Sequence, residues 1–226
     1  MADAIFASAF FCAIEYKFVV KALLFAEKSL SLKLILSSDT QQILTAMADK
    51  VKLHDKQFKI MIPESEIDAA VQRVADKLNE RYAGKTPIFL GVLSGAFLFL
   101  SDLVRKTSFP SQLAFIKISS YEGTQSTGKV EQQLGIDFDI EGRDIIIVED
   151  IVETGHSMNY LLSYLEARKP ASISICTLFF KPEKFLYEYS IDYVAMPIGN
   201  EFIVGYGLDY NQLGRNLKDI YVIDEQ

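Results

Sequence analysis

The sequence predicts an α/β domain built on a largely parallel sheet. Three observations carry this prediction. Apolar runs of strand length alternate with segments of helical periodicity, turn residues close the elements, and DIIIVED at 144–150 is apolar enough to need cover on both faces. Such a strand belongs in the middle of a parallel sheet flanked by helices. The order strand, helix, strand then implies right-handed crossovers.

The elements follow in order. QFKIMI (57–62) alternates polar and apolar residues, as a half-buried strand does. Pro63 suits the first turn of a helix, and Glu64, Glu66 and Asp68 favour its positive end. Ile67, Val71, Val74, Ala75 and Leu78 recur at helical spacing, and Gly84 marks the stop. PIFLGVL (87–93) reads as a buried strand, 96–106 as a helix, and LAFIKIS (113–119) as a strand. SYEGTQSTGKVEQQ (120–133) is polar, with little to bury, and reads as a long mobile loop. Loops beyond about 12 residues are usually lids or disordered. A helix over 156–168 carries Met158, Leu161, Leu162 and Leu165 on one side. SISICTLFF (172–180) is a strand, and shorter β segments fall near 191–196, 201–206 and 219–224. No repeat, low-complexity tract or Pro-, Gly- or Ser-rich linker intervenes, so one domain is expected over 47–226.

Composition bounds the function. Half of the 226 residues are hydrophobic, enough for a sizeable core. A net charge of −7 argues against a general nucleic-acid or anionic-membrane binder. Two cysteines, Cys12 and Cys176, are too few for a disulfide scaffold or a cysteine zinc site, and a reducing cytoplasm fits. His54 and His156 leave little scope for a histidine-rich metal site.

Residues 1–46 stand apart. They are apolar with eight charges, four of each sign. The longest uncharged run, residues 4–14, is short of the roughly 20 needed to span a bilayer. Asp3 precedes it, so the basic start of a secretory signal is missing. A helical anchor, a partner-binding segment and an upstream-start artefact are the three readings, and the artefact is favoured. Met47 opens MADKVKLHDKQFKI, which has the character of an ordinary soluble N-terminus.

The chemistry concentrates in IIIVEDIVETGHS (145–157). Open α/β sheets bind ligands where strands end and helices begin. Here a buried strand ends in Glu149 and Asp150, and Glu153, Thr154, Gly155, His156 and Ser157 lead into a helix. Unpaired N–H groups at a helix start cradle phosphate, and Gly155 allows close backbone approach. The paired acids can hold sugar hydroxyls. Acids on one side and a phosphate cup on the other suit a phosphorylated sugar. Either feature alone would also fit an ordinary strand end and turn.

This string resembles the phosphoribosyl-diphosphate loop of type I phosphoribosyltransferases, most closely those of 6-oxopurine salvage. The resemblance covers about 57–224 and rests on four motifs in order: LSGAFLFLSDL (93–103), SSYEGTQSTG (119–128), the loop above, and FIVGYGLDYNQLGRNL (202–217). It implies the type I fold, a twisted sheet flanked by helices with a small hood and a mobile lid. It also implies transfer of ribose 5-phosphate from phosphoribosyl diphosphate to hypoxanthine or guanine, with Mg²⁺ required.

By resemblance, Glu149 and Asp150 face the ribose hydroxyls and magnesium, and Glu153 to Ser157 bind the 5-phosphate. Ser94 and Gly95 match the pyrophosphate-contacting loop, and Ser120 and Tyr121 the start of the lid. Lys181 matches the donor to purine O6, Phe202 the aromatic that stacks on the base, and Ile203 a backbone contact to its 2-position. Asp209 and Arg215 match a magnesium-linked acid and a pyrophosphate-binding arginine. Read alone, a lysine at a strand end is usually solvated, a phenylalanine in a strand is usually core, and Asp209 with Arg215 could be a structural ion pair.

The chain departs from the family's pattern at two positions of the loop. Glu153 stands where the family has the aspartate proposed as general base, and Ser157 where it has threonine. Glu keeps the carboxylate but adds a methylene, and misplacement near 1 Å can cost about 10²-fold in rate. Two alternatives accompany the enzyme reading: a non-catalytic nucleotide-sensing or RNA-binding regulator, and a transferase for another base such as xanthine. Relatives of this family are usually dimers or tetramers, so a homo-oligomer is expected.

Overall fold

The computed structural model describes residues 49–120 and 130–224. Expectations for residues 1–46, and the placement of Tyr121, lie outside the described residues. β1 (Lys50–Leu53) and β2 (Lys56–Ile62) lead into α1 (Glu64–Arg81). β3 (Ile88–Leu93), α2 (Phe97–Lys106), β4 (Gln112–Ser120) and β5 (Val130–Leu134) follow. Then come β6 (Asp144–Val152), α3 (His156–Glu166), β7 (Ser172–Phe180), β8 (Tyr193–Pro197), β9 (Ile203–Val204) and β10 (Ile220–Ile223).

The main sheet has the order β5-β4-β3-β6-β7-β8. Its five strands β4, β3, β6, β7 and β8 are parallel, and β5 joins the β4 edge antiparallel. β6 lies at the centre, with Ile88 to Gly91 of β3 on one side and β7 on the other. Its side chains alternate between two cores. Ile145 and Ile147 pack in the cluster that contains Met158, Leu161 and Leu165 of α3. Ile146 and Val148 join Ile67, Val71, Val74 and Leu78 of α1 with Phe99 and Leu103 of α2. Both faces of DIIIVED are therefore covered, which is why the run shows no polar alternation. A second, smaller sheet has the order β1-β2-β10-β9; from Val51 onward it shares one compact unit with the main sheet.

The structure differs from the sequence reading at four places. Residues 120–133 are not loop throughout: β5 begins at Val130 and pairs Ser120 with Val130 and Lys117 with Leu134. An edge strand draws its order from the backbone ladder, so VEQQL needs no apolar run to declare itself. β1 adds a strand before the reading begins. The segment 201–206 shrinks to Ile203–Val204, because Gly205, Tyr206 and Gly207 all adopt positive φ (109°, 45° and 102°). Pro63 is the N-cap of α1 rather than part of its first turn, and its carbonyl accepts Glu66 N at 2.9 Å.

Candidate active site

The site forms at the C-terminal ends of β3, β6 and β7, where a parallel sheet leaves strand ends open beside helix starts. Glu149 and Asp150 end the apolar stretch of β6, half-buried. Asp150 N donates to Glu149 Oε1 at 3.1 Å, and Ile151 N to Asp150 Oδ1 at 2.7 Å. Burial, then the Asp150 charge, pushes the Glu149 carboxyl well above its usual range. Burial also raises Asp150, against the pull of Arg215. Two adjacent acids held this way gain from hydroxyl donors or a cation.

Three motifs distant in sequence converge here, Gly95 on Asp150 and Gly207 on Gly95. A Cβ at Gly95 would lie 1.4 Å from Asp150 Oδ2, and one at Gly207 would lie 2.1 Å from the Gly95 carbonyl oxygen. Glycine at 95 lets backbone pack directly on the carboxylate, and glycine at 207 lets a second backbone segment pack on Gly95. Ser94 is exposed beside it.

The 153–157 loop follows the end of β6. Gly155 adopts φ +86° at the N-cap of α3. Glu149 and residues 151–158 line a hollow of about 180 Å³. The open first turn of α3 supplies its N–H groups and partial positive charge to this hollow.

A second hollow, about 130 Å³, is lined by Asp150, Ile151, Glu153, Lys181, Phe202, Ile203, Leu208 and Asp209. Lys181 is not a solvated strand-end lysine: it is 3% exposed. Its ammonium donates to Glu153 Oε1 at 2.6 Å and to the Glu201 carbonyl at 2.9 Å. An ammonium has three donors, so one remains. Burial works to raise the Glu153 carboxyl, but hydrogen bonding and charge from Lys181, then Lys184, prevail and hold it below its usual range. Lys184 Nζ lies 3.4 Å from Glu153 Oε2. Phe202 is not core but half-exposed at the rim, edge-on to Tyr210 at 5.8 Å, while Ile203 is buried.

Asp209 and Arg215 form an ion pair at 2.5 Å, and Arg215 Nη1 donates to the Gly207 carbonyl at 2.7 Å. Gln212 N donates to the other Asp209 oxygen at 2.7 Å. Asp209 nonetheless lines the second hollow with Asp150. No group of three His, Cys, Asp or Glu residues stands ready for a metal among the described residues. Mg²⁺ does not require one, since it usually takes one or two carboxylates together with substrate phosphates and water. Asp150 and Asp209, two of the three carboxylates on this hollow, fit that ion.

The structure thus gathers Gly95, Glu149, Asp150, the 153–157 loop, Lys181, Phe202, Ile203, Asp209 and Arg215. Ser120 ends β4, and its lid role has no described partner. Leu208, the Glu201 carbonyl, Lys184, Tyr187 and Tyr189 were missed. The tyrosines left one signal: with Phe185 they recur every second residue, the period of an extended chain with one aromatic face.

Two adjacent acids, a glycine turn opening a helix, and a neighbouring hollow lined by a buried lysine, all at the end of a parallel sheet, fit a phosphoribosyl-transferring class. The family model for the phosphoribosyl transferase domain matches residues 63–211, and the chain belongs to that family. Within it, the chain is 40% identical over 169 residues to the hypoxanthine-guanine phosphoribosyltransferase of Streptococcus agalactiae serotype V, covering 74% of this chain and 94% of that one. A solved hypoxanthine phosphoribosyltransferase from Staphylococcus aureus superposes with a TM-score of 0.71 at 33% identity, covering 80% of this chain and 95% of that one. The hypoxanthine phosphoribosyl transferase of Trypanosoma cruzi gives a TM-score of 0.70 at 35% identity, over 77% and 95%.

Proposed function

We propose that the chain transfers ribose 5-phosphate from phosphoribosyl diphosphate to hypoxanthine or guanine, releasing pyrophosphate. One observation carries this reading: the loop hollow and the Lys181 hollow share Ile151 and Glu153, so phosphate and base sit on either side of one carboxylate. The α3 start and residues 154–157 hold the 5-phosphate. Glu149 and Asp150 receive the ribose hydroxyls. The third Lys181 donor meets purine O6 and rejects adenine, whose amino group would face a cation. Phe202 stacks on the base at the rim.

The C1–O bond to pyrophosphate breaks as the C1–N bond to the purine forms, and the ring carbon passes through a cationic state. The base loses a proton, and Glu153 accepts it or holds it near the ring. Asp150 and Asp209 would hold Mg²⁺, which neutralises charge on the leaving pyrophosphate. Gly95 places backbone N–H against the same group. Closing the site against water prevents hydrolysis of the sugar diphosphate.

O6 is common to hypoxanthine, guanine and xanthine, so Lys181 does not choose among them. The test is a product assay with Mg²⁺, phosphoribosyl diphosphate and each base in turn. IMP and GMP are the expected products, and their absence overturns the reading. We further infer a homodimer or homotetramer in the cytoplasm, which sedimentation over a range of concentrations checks for assembly. No helix among the described residues is long and apolar enough to cross a membrane.

A further inference from the structure

The stretch after β7 runs along the back of the 153–156 loop and touches each of its residues. Lys184 Nζ lies 3.4 Å from Glu153 Oε2. Leu186 N donates to the Thr154 carbonyl at 3.2 Å. Tyr189 OH donates to the Gly155 carbonyl at 2.9 Å. Tyr187 OH and His156 Nδ1 are 2.7 Å apart. The aromatics also leave no room: a Cβ at Gly155 would lie 2.6 Å from Phe185, 2.9 Å from Tyr187 and 3.0 Å from the Tyr189 hydroxyl. Tyr187 and Tyr189 stack at 5.5 Å, and Phe185 meets Tyr189 edge-on at 5.1 Å. None of these residues lines either hollow, so their effect passes through the loop.

We infer that residues 184–189 are a positioning strap for the loop, in which Tyr189 sets the phosphate side through Gly155 and Lys184 sets the base side through Glu153. The inference rests on the function proposed above. The loop's N–H groups recognise phosphate only if Gly155 keeps its left-handed turn, and a hydrogen bond to its carbonyl from a packed ring holds that turn. Burial and neighbouring Tyr187 push the Tyr189 hydroxyl up to about 12, so it donates throughout the working pH range. On the other side, Lys181 and Lys184 take one oxygen each of Glu153. The longer glutamate reaches both, and the clamp fixes where its extra methylene leaves the carboxylate.

The test uses full-length Tyr189→Phe, Lys184→Met and Lys184→Arg. Tyr189→Phe should raise KM for phosphoribosyl diphosphate about 5-fold, the worth of one hydrogen bond of about 1 kcal/mol, with KM for the base within twofold of wild type. Lys184→Met should raise KM for the base about 3-fold, as a part-exposed ion pair allows, and Lys184→Arg should restore it. In a Glu153→Asp background the Lys184→Met effect should shrink towards none, because the two side chains act through one contact. Equal rises in both KM values, or a Lys184 effect that persists in Glu153→Asp, would overturn the inference. Amide exchange at 153–157 is read on the same proteins without turnover: Tyr189→Phe should speed it about 5-fold, and unchanged exchange also overturns the strap. An inactive wild type with the expected exchange pattern would sink the proposed function and leave the strap standing.

Discussion

Lys181 and Glu153 pair at 2.6 Å because each stands one residue beyond a register pair, Val152 with Phe180, in adjacent parallel strands. Lys181 N also donates to the Val152 carbonyl at 3.0 Å, carrying the ladder one step past the strands. Two charges far apart in sequence thus meet at the hollow lined by Asp150, Phe202 and Asp209. The pairing is a consequence of sheet register, and it makes one unit of the buried lysine and the acid.

Lys181→Ala should damage base use far more than diphosphate binding. A charge-assisted hydrogen bond of about 1.5–3 kcal/mol corresponds to a loss of about 10- to 100-fold in kcat/KM for hypoxanthine. KM for phosphoribosyl diphosphate should stay within about threefold of wild type. Equal losses for the two substrates would remove Lys181 from the base pocket.

Glu153→Gln should lower kcat, because an amide cannot take the proton. Glu153→Asp should retain or raise kcat, since it restores the shorter acid of the family's pattern, although it draws back from Lys181. Steady-state kinetics on the pair decides this, and indifference to Gln would end the catalytic assignment.

The same residue sets a pH dependence of stability. Its carboxyl is held below the ordinary value of 4.5, so the unfolded chain takes up its proton first on acidification. The stabilisation is complete above that value and is lost as pH falls through the lower folded value. Denaturant unfolding of wild type and Glu153→Gln should show a constant gap from neutral pH to about 5.5, closing in stronger acid. A gap that widens in acid would contradict the ion pair.

Gly95→Ala should be nearly inactive. Its Cβ would fall 1.4 Å from Asp150 Oδ2, so the carboxylate or the loop must move. A displacement of about 1 Å can cost about 10²-fold in rate. Product assays should show that loss, with circular dichroism unchanged.

Glu149→Gln should stabilise the ligand-free protein while reducing activity. Burial, then the neighbouring Asp150 charge, disfavours the ionised Glu149 carboxyl, and an amide relieves both. Thermal unfolding without Mg²⁺ should rise by a few degrees, about 1 kcal/mol in a domain of this size. A lower melting temperature would show that the Glu149 charge has a partner that supports it.

Much of this was legible in the chain. The apolar density of 144–150 placed β6 at the sheet centre, because only a strand covered on both faces can carry so many apolar residues in a row. The helical stripes located α1 and α3 to within a few residues. The acids and the Thr-Gly-His-Ser turn marked the candidate site, because a helix start after a buried strand leaves backbone donors without intrahelical partners. The β5 edge left no such mark, since its order lies in backbone pairing.

What the sequence alone determined was the class of fold, and it marked the 149–157 segment and Lys181 as candidate site residues. Periodicity and local backbone chemistry are short-range properties, and a single chain writes them out in order. Only the tertiary structure decided that Lys181 is buried on Glu153, that Gly95 closes on Asp150 and Gly207 on Gly95, and that aromatic rings back Gly155. Those relations depend on which strands are neighbours and in what register. Sheet register brings together residues that no local pattern connects.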